Sequence, residues 1–167
     1  MKRDLDRKLL QSIPNSKKED FIFMHLRDLW AVDGLYYMGI EERFGTSVAT
    51  EIDAFVWRVM GKIEARRIKH LLEINGDTVK DMMDALLYSS WALDLEDKEY
   101  EIREDKAIIR NVNCRVQQTR IQKELGEFGC KPVRMGFLQS FAHEFNPDIT
   151  INCRVCPPDD HPKDLWC

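Results

Sequence analysis

The sequence predicts an α+β fold: N-terminal antiparallel helices packed with a small, mostly antiparallel C-terminal sheet and one amphipathic helix. Three observations lead there. Between positions 18 and 94 the apolar residues recur at helical steps of three, four and seven. Beyond position 98 they alternate instead, as on a sheet with one buried face. Gly45, Asn75-Gly76 and Asn146-Pro147 stand where helices must stop.

Residues 1–17 are polar and mixed in charge around Pro14-Asn15-Ser16, and read as an N-terminal arm or a short lead-in helix. A single domain follows over 18–167, helical over 18–94 and sheet-containing over 98–167. Phe23, Leu26, Trp30, Tyr37, Ile40 and Phe44 predict a helix from Lys18 to Phe44. Gly45 supplies the positive φ that ends it, and Thr46 or Ser47 caps a second helix running to Ile74. Ile52, Phe55, Val56, Val59, Ile63 and Leu71 give that helix its stripe. Asp77 caps a third, to Leu93, with Val79, Met82, Met83, Leu86, Leu87 and Trp91 inward. Turns this short make the three antiparallel neighbours.

After a charged connector, Tyr100–Arg103 and Ala107–Val116 predict two strands around Glu104-Asp105-Lys106. A short helical piece near Thr119–Leu125 precedes Gly126 and Gly129. Pro132 then opens the clearest amphipathic helix, with Val133, Phe137, Phe141 and Phe145 four apart. Ile149, Ile151, Cys153 and Val155 predict a third strand, ended by Pro157-Pro158, and Leu165-Trp166-Cys167 begins a fourth.

At 167 residues the chain can bury about 70% of its unfolded surface, so it needs no cross-link to fold. Its net charge of −4 speaks against nucleic acid, which wants a clustered basic surface. The one basic run, Arg66-Arg67-Ile68-Lys69-His70, is balanced by Glu64 and Glu73. No stretch approaches the ~18 apolar residues of a membrane span, and Met1–Asp6 lacks a signal-peptide core. These features predict a cytoplasmic protein with no membrane partner, whose five cysteines are thiols or metal ligands.

Two places could carry chemistry. Asp33 sits among Trp30, Ala31, Val32, Gly34, Leu35, Tyr36 and Tyr37, and a buried carboxylate must find a partner or a proton. Tyr37 and Glu41 follow it on one face, and Asp53 and Trp57 can meet them from the next helix. Trp30, Asp33, Tyr37, Glu41, Asp53 and Trp57 are therefore the candidate ligand-binding residues. In the plainer alternative Asp33 bonds a tyrosine or an arginine such as Arg58. The second place is the tail. Cys153, Cys156, His161 and Cys167 form a candidate tetrahedral set for zinc or iron, or else Cys153 and Cys114 merely pack inside a sheet. Cys130, at a helix N-terminus that lowers a thiol's pKa, joins Asp33 as a candidate catalytic residue. HExxH, Walker, GxGxxG and GxSxG patterns are missing from the sequence.

The segment Asp28–Tyr36, with Glu41–Gly45 and Asp53–Trp57, resembles a group of prokaryotic cytosolic proteins near the L-2-amino-thiazoline-4-carboxylate hydrolase-like proteins. The ending Cys153–Cys167 resembles that group's cysteine-rich tail. The order of elements from Cys130 to Cys167 is similar to 4-vinyl reductase-type domains. The second resemblance implies a small-molecule-binding module, often a homodimer. The first implies metal-assisted opening of a cyclic amide or thiazoline C–N bond. Three functions thus stand open: a small-molecule-binding domain, a metal-dependent hydrolase, and an interaction protein shaped by structural zinc.

Overall fold

The computed structural model describes residues 3–162 and 165–167; Met1 and Lys2 of the expected arm, and Lys163 and Asp164 of the tail, lie outside them. The arm contains a helix, α1 (Asp4–Gln11), and a 3₁₀ turn at Asn15–Lys17. Two long helices follow, α2 (Lys18–Phe44) and α3 (Thr46–Leu71). Glu19 and Asp20 in the first turn of α2 and Arg43 in its last complement the helix dipole. Gly45 adopts φ +85°, and its N–H closes α2 on Glu41 O at 2.9 Å. A residue with a Cβ would be strained there.

The expected third helix is two. α4 (Val79–Leu86) opens with a capping box between Thr78 and Asp81. α5 (Ser90–Asp94) starts afresh, because the Ser89 hydroxyl accepts from Ala92 N–H at 3.1 Å. A serine offered as a new N-cap breaks the helix at Leu87–Ser89 although the apolar period runs on.

β1 (Asp97–Ile102) and β2 (Ala107–Asn113) form a two-stranded antiparallel sheet in which Tyr100 faces Ile109. β1 starts within the charged connector. α6 (Arg115–Gln122) and α7 (Lys131–His143) complete the elements. The chain is α+β, as its sequence indicated. Among the described residues Ile149–Val155 is not a strand. Its backbone is held instead by the Gln139 side chain of α7, whose Nε2 donates to Ile149 O at 3.0 Å and whose Oε1 accepts from Ile151 N–H at 3.3 Å. Residues 165–167 are not assigned as strand either, though Trp166 N–H reaches Asn111 O of β2 at 2.9 Å.

α7 packs tightly on α3, and the core lies between them. Gly61 makes the approach possible: a Cβ there would stand 2.4 Å from the Phe137 carbonyl oxygen. Phe137 and Phe141 are 1% and 0% exposed, and Trp57 and Trp91 meet Phe137 edge-on. Burying each such ring stabilises the fold by about 1.5–3 kcal/mol. No helix among the described residues is long and apolar enough to cross a membrane.

Candidate functional site

α2, α3, α6 and α7 converge on a cavity of about 50 Å³. Asp33 reaches it from α2, Asp53 and Trp57 from α3, and Arg134 and Phe137 from α7. Cys114 and Cys130, the residues preceding α6 and α7, close the other side. The Trp57 indole N–H donates to Asp33 Oδ1 at 3.0 Å, and Trp30 stacks on Trp57 at 4.7 Å. Trp30 is fixed in turn by donating to Ser90 O at 3.2 Å. Asp33 is thus partnered by a tryptophan rather than by the tyrosine or arginine considered from sequence.

Asp33 and Asp53 are both half-buried at this cavity. Burial raises the pKa of Asp33, and the Trp57 bond offsets part of that rise. Asp53 is pushed up to about 7, first by burial and then by the Asp33 charge, with Arg134 and Trp57 opposing. Near neutral pH Asp53 is therefore about half protonated, and the Asp33 charge helps hold that proton. The Arg134 guanidinium lies 4.0 Å over the Trp91 ring, and its buried Nε has no hydrogen-bond partner among the described residues. Sequence reasoning passed over Arg134; its position one turn after Cys130 was the available signal.

Residues 12–167 match a family of unknown function, DUF6125. The chain belongs to that family. No curated protein and no solved structure matches it.

Tyr37 and Glu41, the other two candidate ligand residues of this DUF6125 chain, stand outside the cavity lining. Tyr37 Oη is 2.9 Å from Thr50 Oγ1. Glu41 receives a bidentate bond from Arg120 at 2.9 and 3.0 Å, which holds its carboxyl below the usual range. Arg120 also donates to Gly126 O and Leu125 O. This knot ties α2 to the turn after α6. Gln117 fixes the same turn, exchanging two 2.7 Å bonds with the Phe128 backbone.

The thiols meet behind the cavity. Cys130 Sγ is 3.5 Å from Cys156 Sγ. Hydrogen bonds to Cys130 and Cys167, then burial, drive the Cys156 pKa upward, so Cys156 keeps its proton. The same bond from Cys156, aided by Arg134 and opposed by burial, lowers Cys130. Cys167 is lowered to about 6, again mainly by Cys156. Burial raises Cys114 and Cys153. His161 turns its Nε2 to Glu127 Oε2 at 3.3 Å, while its charge is near enough to assist the Cys167 thiolate. Among the described residues no three or more histidine, cysteine, aspartate or glutamate side chains are arranged to hold a metal ion. The structure thus brings the two catalytic candidates, Asp33 on α2 and Cys130 before α7, to one cavity.

Proposed function

We propose that this chain binds a small polar molecule in the cavity between α2, α3, α6 and α7. The ligand carries N–H donors at one end, for Asp33 and Asp53, and a carbonyl or carboxylate oxygen at the other, for Arg134. The observation that carries this reading is the meeting of two half-buried carboxyls and Arg134, whose buried Nε is unpartnered among the described residues, at a single cavity. A buried polar group without a partner is costly, so the bare Arg134 Nε beside these carboxyls points to a ligand that completes it. A volume of about 50 Å³ is room for roughly two waters at ~30 Å³ each. The ligand, or the part that enters, is therefore of amide, amidine or urea size.

Trp30 and Trp57 line the cavity, so intrinsic fluorescence reports on occupancy. Glycinamide, acetamidine and L-2-amino-thiazoline-4-carboxylate are suitable probes. The proposal expects at least one to give a saturable change that weakens tenfold or more in the Asp33→Asn, Asp53→Asn double variant. Binding that ignores the double substitution, or no saturable change with any probe, overturns it.

A hydrolytic reading is favoured by Cys130, whose lowered thiol lines the same cavity. Its sulfur would attack the carbonyl carbon of a cyclic amide. Asp53, still carrying a proton near neutral pH, would deliver it to the departing nitrogen, and water would then release the acyl group from sulfur. Turnover of a cyclic amide that is abolished by Cys130→Ser, in protein that still binds it, supports this reading. The metal reading, zinc or iron on Cys153, Cys156, His161 and Cys167, rests on donor softness alone, since among the described residues these side chains are not arranged to hold an ion. Elemental analysis of untagged protein tests it, with about one ion per chain expected if it holds.

A further inference from the structure

We infer that the outer face of the α2–α3 hairpin is a homodimer interface, on which a second copy of this chain packs to make a four-helix bundle. The inference is independent of the cavity. On α2 the inward face carries Trp30, Asp33 and Tyr37, which meet α3 through Trp57 and Thr50. Ile22, Leu29, Val32 and Tyr36 lie at steps of seven, three and four on a different face. They are 60%, 42%, 50% and 71% exposed. On α3 the inward face carries Asp53, Trp57 and Gly61. Ile52, Val56 and Val59 lie away from it, 41%, 43% and 42% exposed.

Helical geometry puts both stripes on one side of the hairpin. Each borders its partner helix and lies opposite the core that α4–α7 cover. A shallow groove of about 320 Å³ runs along the α2 stripe past Leu35, Gly39 and Phe44. Steps of three and four sustained over several turns are those of a coiled-coil seam. A helix apolar on two faces is buried on two faces.

The surface area identifies a partner of matching size. A monomer of 19.7 kDa is expected to expose about 8,600 Å². This chain exposes 11367 Å², roughly 2,800 Å² more than that scaling gives. Obligate homodimers bury about 2,000–5,000 Å² in total, or 1,000–2,500 Å² from each copy. The excess therefore accommodates an interface of that class together with the projecting α1. The two stripes present the same surface on both copies, as a two-fold interface requires. A net charge of −4 is small enough not to oppose self-association.

The test is the mass in solution, by light scattering on a sizing column, of the full chain and of Val32→Glu and Val59→Glu variants. The native chain is expected at twice 19.7 kDa at micromolar concentration, and each variant at the monomer mass with unchanged far-ultraviolet dichroism. Tyr100→Glu, on β1 and as exposed as Val32, is expected to stay dimeric. A monomeric native chain at 100 μM overturns the inference. So does a dimer that survives both charged substitutions, or one that is lost only when residues 1–17 are deleted.

Discussion

Replacing Asp53 by asparagine should make the protein more stable at pH 8 and leave it nearly unchanged at pH 4. The ordinary pKa of the residue is 3.8, and in the fold it rises to about 7. Between these values the native state binds more protons than the unfolded chain, so stability falls as pH rises. The slope is at most about 1.4 kcal/mol per pH unit, and the window runs from about pH 4 to pH 7. Summed across it, the ionised group destabilises the fold by on the order of 4 kcal/mol. Asparagine keeps the shape, leaves the Trp57 bond to Asp33 in place, and removes both the charge and its repulsion of Asp33. Urea denaturation of the two proteins from pH 4 to pH 8.5 measures the difference directly. The curves should converge at the acid end and separate above pH 5, with the variant higher. Parallel curves, or a variant less stable at pH 8, would refute the claim that burial and Asp33 hold this proton.

Three further outcomes follow from the packing and the thiols. Gly61→Ala should lower stability by about 1–3 kcal/mol, because its Cβ meets backbone that cannot step aside. Gly34→Ala, with nothing within 4 Å, should raise it by up to about 1 kcal/mol through helix propensity; thermal melts of both variants check the pair. Glu41→Ala should destabilise by about 3 kcal/mol, since it strands a largely buried Arg120, while leaving probe affinity at the cavity intact by fluorescence titration. Alkylation of Cys167, followed by peptide mass spectrometry, should show a midpoint near pH 6 that moves upward in Cys156→Ala, because the hydrogen bond that holds the thiolate is gone.

Much of the fold is written locally. The bounds of α2 follow from its apolar steps and Gly45, and α7 from Pro132 and the four-residue phenylalanine spacing. The errors have one physical source, which is that period alone cannot name a backbone's partner. Ile149–Val155 alternates like a strand, yet its amide and carbonyl groups bond the Gln139 side chain. Leu87–Ser89 continues a helical stripe, yet Ser89 caps a new helix. The site was half legible. The surroundings of Asp33 marked it for burial, and the position of Cys130 marked it as a tuned thiol. That both line one cavity depends on how α2 and α7 lie in space, which no spacing encodes. The Glu41–Arg120 pair spans 79 positions, so the sequence could present Glu41 only as one more carboxylate beside Asp33.

The account rests on Asp53 holding a proton near neutral pH at the cavity it shares with Asp33. Carbon-13 NMR titration of the aspartate side-chain carboxyls measures it most directly. One resonance, lost in Asp53→Asn, should titrate near pH 7 and shift when a bound probe saturates the chain. Every aspartate titrating below pH 5 would contradict the central claim.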